Sequence, residues 1–133
     1  MNQAYTKYLG IPFKHRGRDF NGVDCYGLLV LYFKTELGID LPDFWYEVDW
    51  SKQGKNIISD NYPDIAKRVD KPQRNDIVLF NIGLGCPVVN HAGIVVDPPN
   101  KILQAMRVKV VLNNLDSPIL KKHFNGYYRL CLA

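Results

Sequence analysis

The stretch DFNGVDCYGLLVLYF, residues 19–33, places a cysteine where a helix is predicted to begin. From Cys25 the apolar residues recur at helical spacing until Gly38, and Asp24 is a suitable N-cap. The dipole and free N–H groups of a helix N-terminus favour a thiolate, and they can stabilise an oxyanion formed when the sulfur attacks a carbonyl. Cys25 is therefore a candidate nucleophile. The alternative is a small buried hydrophobe, because free cysteine is among the most buried residue types.

A cysteine nucleophile needs a histidine to take its proton, and a third group usually orients the ring. His91 begins an apolar strand within NHAGIVVD, although a histidine in such a strand is often only a hydrogen-bonded core residue. If DPPN, residues 97–100, connects two strands, His91 pairs with Met106. Gln104 then shares the face of His91 and lies diagonally beside it. A one-residue slip would turn Gln104 to the other face.

The remaining histidines and cysteines are weaker candidates. His15 and His123 lie in polar stretches and are interpreted as surface residues, although His15 is close enough to Cys25 in sequence to line the same cleft. Cys86, in GLGCP, and Cys131, in a terminal strand, are interpreted as structural. Three cysteines without CxxC spacing argue against a disulfide framework or a structural zinc site, so no metal or cofactor is predicted.

The elements that must position these residues form a helical first half and a strand-rich second half. Helices followed by hairpin-linked strands predict a single α+β domain, residues 1–133, with an antiparallel sheet. The predicted elements are a helix at 2–9, a polar loop at 14–22, a helix from Asp24 that ends at Gly38, one or two short helices before Asp70, strands at 76–82, 90–97, 101–107 and 126–132, a further strand or an extension at 108–112, and a short helix around 117–124.

Composition narrows the class of protein. With 133 residues, 47% hydrophobic and 23% charged, the chain is predicted to fold around one core rather than to be disordered. The formal charge of +4 is small and unclustered, which argues against nucleic-acid binding. MNQAYTKYLG lacks the pattern of a secretory signal, and no apolar stretch approaches the roughly 18 residues of a membrane span. These features predict a soluble chain made in the cytosol, without membrane insertion.

Several motifs, taken in order, resemble those of the NlpC/P60 cysteine peptidases. GIPFKHRGRDFNGVDCYGLLVLYFKTELGIDLP resembles the family's catalytic-helix segment, and KPQRNDIVLF resembles a characteristic strand, with Asn75 where glycine is common. NHAGIVVD is similar to the histidine strand, and ILQAMR falls where a third polar residue is expected. HRGRD, the DCYG form and the closing YYR most resemble a subgroup in phage and prophage tail modules.

The resemblance implies a papain-like α+β fold and hydrolysis of peptidoglycan stem peptides, typically at the bond between γ-D-glutamate and a diamino acid. It implies that Cys25 is the nucleophile, His91 the base and Gln104 the orienting residue, with the Cys25 N–H in the oxyanion site. Asp24 is expected to bind a substrate amine or to cap the helix. Phe13, which lacks the tyrosine hydroxyl of many members, and Tyr26, which replaces a small serine and could narrow the cleft, are expected on the substrate side.

The subgroup also implies partners and a location. Phage tail-tip proteins are the expected partners, and the expected location is the virion tail, or the host cytoplasm before assembly, with action at the bacterial cell wall during genome delivery. Two alternatives stay open. One is a tail assembly or structural protein whose fold no longer hydrolyses a substrate, and the other is a related thiol reaction such as amide hydrolysis or acyl transfer.

Overall fold

The computed structural model describes residues 4–42, 66–81 and 91–131. A short 3₁₀ helix, Ala4–Tyr8, precedes the elements in this order: β1 Arg18–Asp19, β2 Gly22–Val23, α1 Cys25–Leu37, β3 Ala66–Val69, β4 Ile77–Phe80, β5 His91–Asp97, β6 Lys101–Ala105, β7 Val110–Asn114, α2 Pro118–His123 and β8 Phe124–Leu130. Within these residues no helix is long and apolar enough to cross a membrane.

Helix α1 begins and ends where the sequence predicts. Asp24 adopts an extended N-cap conformation, and its side chain accepts a hydrogen bond from the Gly27 N–H. Gly38 terminates the helix in the left-handed region, with φ 67°, a conformation that glycine adopts without steric cost. The helix buries most of its surface, including Leu28, Leu29 and Phe33, against the sheet.

The six long strands form one antiparallel sheet in the order β3-β8-β4-β5-β6-β7. Alternate residues of the central strands enter different clusters, as the period of two requires. On one face Ile77, Ile94 and Leu103 pack with α1; on the other Val78, Val95 and Ile102 pack with Leu115 and Leu120, on and beside α2. This arrangement of a helix and an antiparallel sheet is the α+β class that the sequence predicts.

The β5–β6 pairing agrees with the predicted register over most of its length. Gly93 pairs with Gln104 and Val95 with Ile102, so Gln104 lies diagonally beside His91. The register then shifts by one residue between Val95 and Asp97. Lys101 consequently pairs with Asp97 rather than with the predicted Val96.

Several sequence-based boundaries were wrong. The segment predicted as a polar loop, 14–22, contains β1 and forms a two-stranded hairpin with β2. Strand β3 replaces the end of the predicted helical region, because Ala66–Val69 pairs with β8. Strand β6 ends at Ala105 rather than at residue 107. Of the two alternatives for 108–112, the structure has the separate strand, which is β7. Four predicted element ends lie outside the described residues: residue 2 of the first helix and residues 82, 90 and 132 of three strands.

Candidate active site

Cys25 is the first residue of α1, and its half-buried side chain packs at the margin of the core. The backbones of Ala92 and Tyr26 hydrogen-bond to the sulfur. Ala92 follows His91 directly in β5, so the start of α1 and the start of β5 lie together. The residue types of Cys25 and His91 alone predicted that these two parts of the chain lie together. In the structure, the packing of α1 against β5 brings them together.

The Asp24 carboxylate holds the helix start together. It accepts hydrogen bonds from the Gly27 N–H at 2.7 Å and the Arg16 N–H at 2.8 Å, and from the Arg18 guanidinium at 3.2 Å. Arg16 adopts a positive φ of 59°, unusual for a residue with a Cβ, as its N–H donates to this carboxylate. Asp24 was expected to bind a substrate amine or to cap the helix, and in the structure it caps the helix. The residue is only 5% exposed.

The His91 ring is held from two sides. Its Nε2 lies 2.8 Å from the Gln104 Oε1. The ring of Phe80, the residue opposite His91 in β4, packs at 5.6 Å between centroids. The structure therefore joins His91 to the predicted orienting residue, whereas His15 lies in the loop before β1 and His123 at the end of α2.

Gln104 is 1% exposed and makes a second hydrogen bond, which the sequence did not indicate. Its Nε2 donates to the Asn113 Oδ1 at 2.7 Å. With the amide nitrogen facing Asn113, the amide oxygen faces His91, so the His91 Nε2 carries the proton and donates. The Nδ1 atom of His91 is then the one with a lone pair. Only the period-two pattern of β7 could have indicated Asn113.

Burial dominates the protonation of both candidate groups. It raises the pKa of the Cys25 thiol to about 12, and the negative charge of Asp24 adds to the increase. The backbones of Ala92 and Tyr26 and the charge of Arg18 oppose it. Burial also lowers the pKa of His91, and the hydrogen bond that the ring donates to Gln104 opposes this decrease. The resting pair is therefore a neutral thiol beside a neutral imidazole.

The two aromatic residues expected on the substrate side occupy different environments. Phe13 is 43% exposed, and its backbone bonds to Val108 and bridges to Val23, two residues before Cys25. Tyr26 is 2% exposed, and its hydroxyl donates to the Pro42 carbonyl oxygen. The expectation that Tyr26 narrows an open cleft is corrected, since its side chain points into the core and joins α1 to the following segment.

Of the other two cysteines, the structure describes one. Cys131 is exposed and follows the last residue of β8, so it has no place in the strand or the core that would make it structural, as the sequence predicted; Cys86 lies outside the described residues. Among residues 4–42, 66–81 and 91–131, no group of three or more His, Cys, Asp or Glu side chains could hold a metal ion.

A thiol at a helix start, a histidine on a neighbouring strand and an amide that fixes the ring form the arrangement of a papain-like cysteine peptidase. The model of the NlpC/P60 family matches residues 10–129, nearly the whole chain. The chain belongs to the NlpC/P60 family, a family of cysteine peptidases.

Relatives and solved structures agree with this assignment. Murein DD-endopeptidase MepS/Murein LD-carboxypeptidase of Escherichia coli K12 is 24% identical over 126 residues, which are 95% of this chain and 59% of that protein. The probable endopeptidase NlpC of the same strain is 27% identical over 127 residues, 93% of this chain and 72% of that protein. The chain thus spans 59% of the length of the first of these relatives.

Two solved structures show the same fold. One is a protein of the NLP/P60 family from Staphylococcus aureus Mu50, similar to lipoprotein, with a TM-score of 0.71 and 21% identity, covering 96% of this chain and 39% of that chain. The other is the NlpC/p60 domain of the peptidoglycan hydrolase SagA, with a TM-score of 0.60 and 16% identity, covering 92% of this chain and 88% of that one. The papain-like α+β fold is therefore confirmed.

Proposed function

We propose that this chain is a cysteine peptidase that hydrolyses peptide bonds in peptidoglycan. The observation that carries the proposal is the His91 ring, which is bonded through Nε2 to Gln104 and leaves Nδ1 as its basic atom, on the strand whose next residue, Ala92, bonds to the Cys25 sulfur. The names of the relatives, murein endopeptidase and peptidoglycan hydrolase, support the substrate class.

The reaction uses a neutral pair of groups. The Nδ1 of His91 accepts the thiol proton as the Cys25 sulfur attacks the carbonyl carbon, because the raised thiol pKa keeps the proton on sulfur until then. The N–H groups of the first turn of α1 stabilise the oxyanion. The imidazolium protonates the leaving amine, which departs and leaves a thioester, and His91 then activates the water that hydrolyses it.

The first test is hydrolysis of purified sacculi and soluble stem peptides, followed by mass spectrometry of the products. The Cys25→Ala variant is expected to lose at least about a thousandfold in kcat/KM, as happens when a covalent nucleophile is removed. Cys131→Ala is the matched control, because that thiol is exposed and lies outside the site. Undiminished hydrolysis by Cys25→Ala would contradict the proposal, and an inactive wild-type chain that assembles normally into a tail would support the non-hydrolytic alternative.

The bond that is cut is a finer part of the proposal. The γ-D-glutamyl–diamino acid bond is the first candidate, from the family resemblance of the motifs. The name of the MepS relative favours a second candidate, a D,D or L,D bond. Product masses distinguish the two, because the first cut separates the stem within its first residues and the second removes or unlinks its D-alanine end.

The location is also a proposal. We infer a phage tail-tip role, in which the chain associates with tail-tip proteins and opens the wall locally, from HRGRD, DCYG and YYR. Mass spectrometry of purified virions tests it, with the soluble lysate fraction as the control. Recovery of the chain only in a virion-free fraction would contradict the tail role and leave the hydrolytic proposal intact.

A further inference from the structure

A chain of three polar side chains crosses three neighbouring strands of the sheet. It runs from His91 on β5 through Gln104 on β6 to Asn113 on β7. Gly93 pairs with Gln104 and Ile102 with Asn113, so each polar residue is diagonally beside the next and all three share one face. This face otherwise carries the apolar cluster that includes Val95 and Ile102.

Asn113 is an unexpected residue type at its position. It lies directly opposite Ile102, which is fully buried, on the apolar face of the sheet. A half-buried amide at such a place is costly unless it is hydrogen-bonded. Its oxygen bonds to the amide of Gln104, which is itself almost completely buried. The pair satisfies a polar group that would otherwise be isolated in the core.

The orientation of Gln104 decides which nitrogen of His91 is basic. With Oε1 toward His91, the ring must donate from Nε2 and keeps a lone pair on Nδ1. If the amide turned over, its N–H would face the ring, the proton would move to Nδ1, and Nδ1 could no longer accept a proton from a thiol. Asn113 favours the first orientation, because its oxygen accepts from the amide nitrogen.

We propose that Asn113 is a positioning residue that acts through Gln104 to hold His91 in the tautomer with the proton on Nε2. The inference deepens the proposed function. Only its kinetic test rests on that function, because the tautomer of His91 can be measured without substrate.

Three variants of the full chain test this role. Asn113→Asp keeps an oxygen at the same place and can only accept, so it holds Gln104 in the same orientation with a stronger, charge-assisted bond. Asn113→Leu has a similar shape and no acceptor. Asn114→Leu is the matched control. Asn114 is the next residue of β7, faces the other way and is exposed, and its side chain accepts from the Asp116 N–H in the following turn.

The first measurement is nitrogen NMR of the histidine rings in uniformly labelled protein, with His91 assigned through a His91→Gln variant. We expect the Nε2–H form in wild type, Asn113→Asp and Asn114→Leu, and a mixture containing the Nδ1–H form in Asn113→Leu. A purely structural role would change stability but leave the tautomer as in wild type. An unchanged Nε2–H tautomer in Asn113→Leu overturns the proposal.

The second measurement is kinetics on stem peptides. Asn113→Leu is expected to lower kcat roughly tenfold with KM little changed, comparable to the loss when the hydrogen-bond partner behind a metal-bound histidine is removed. Asn113→Asp should stay within about threefold of wild type. Equal losses in the Asp and Leu variants would overturn the proposal. If Asn113→Leu does not fold, Asn113→Ser, whose hydroxyl is too short to reach Gln104, replaces it with the same expected results.

The two proposals fail in different ways. If Asn113→Leu changes the tautomer while the wild-type chain cleaves no peptidoglycan, the proposed function is contradicted and the positioning role is supported. A chain that cleaves normally in all three variants and keeps one tautomer contradicts the positioning role alone.

Discussion

The neighbours of the Cys25 thiol have opposing effects on its ionisation. Burial and the neighbouring Asp24 carboxylate disfavour the thiolate, while two backbone hydrogen bonds and the Arg18 charge favour it. The effects that disfavour the thiolate prevail, so the thiol is neutral. The imidazole of His91 is likewise neutral, because burial lowers its pKa. The proton therefore moves during the attack on the substrate and is not transferred beforehand, which makes the position of the His91 lone pair decisive.

This balance predicts how alkylation of Cys25 depends on pH. In a Cys86→Ala, Cys131→Ala background, the rate with iodoacetamide should keep rising well above the ordinary thiol pKa of 9.0, since only the thiolate reacts and its pKa is raised to about 12. The measurement is the alkylation rate by mass spectrometry across the pH range. His91→Ala is the control and should give a similar profile. A plateau at neutral or acidic pH would reveal a thiolate–imidazolium pair and contradict the prediction.

At the scale of elements, the loop before β1 packs directly on the first turn of α1. A Cβ built on Gly27 would lie 1.8 Å from the Gly17 carbonyl oxygen and 2.9 Å from the Arg18 Nη1. The Arg18 side chain could rotate away, but the Gly17 carbonyl oxygen belongs to the backbone, so the backbone itself would have to move. The contact explains why the residue two positions after Cys25, Gly27, is a glycine.

Gly27→Ala should therefore destabilise the protein. Alanine gains about 1 kcal/mol in helix propensity, but forcing a methyl group against fixed backbone costs about 1–3 kcal/mol or more, so the free energy of unfolding should fall. Urea unfolding measures it, with circular dichroism as the probe. Lys34→Ala, at an exposed position of the same helix, should change stability by under about 0.5 kcal/mol. A Gly27→Ala variant as stable as wild type would show that the loop moves freely.

The elements that local sequence signals define could be predicted. Asp24 and Gly38 mark the ends of α1, and the alternating residues around DPPN set the β5–β6 register. The bulge at Val96 and strand β3 could not be predicted, because they depend on strand pairing rather than on local pattern. Strand β3 exists through its pairing with β8, far along the chain, and its four residues carry no strong alternation of their own.

The candidate site was predictable to the same extent. The types and order of Cys25, His91 and Gln104 indicated it, and the family assignment they suggested is confirmed. Asn113 and the burial of Tyr26 were not predictable, since both depend on packing. The tail-associated subgroup stays a prediction, because two residues of HRGRD, Arg16 and Arg18, have a local structural use in holding Asp24.

At the scale of the whole molecule, a bidentate ion pair ties the last strand to the middle of the sheet. The Arg129 Nε and Nη2 each donate at 2.9 Å to the Asp76 carboxylate, which also accepts the Gln73 N–H. Asp76 is 2% exposed, so its charge depends on these donors. The pair joins residues 53 positions apart at the edge where β4 begins.

Replacing the arginine should therefore affect global stability. Arg129→Met leaves a buried carboxylate without its partner, and we expect the melting temperature to fall by roughly 5 °C or more. Lys67→Met is the control, because Lys67 pairs opposite Arg129 on β3 and is exposed. Calorimetry gives both values. Adding Asp76→Asn to Arg129→Met should restore part of the loss, and a loss no larger than that of the control would contradict this account of the pair.

The Asp24 carboxylate gives the protein two properties that conflict. It stabilises the helix start and the hairpin, and its charge makes the neighbouring thiolate less favourable. A substitution that removed the charge would assist ionisation and, at the same time, release the Arg18 contact that keeps the hairpin in place. Substitutions that accelerate the reaction are therefore easier to accommodate around His91 than at Asp24. On the histidine side, β5, β6 and β7 are supported by the sheet.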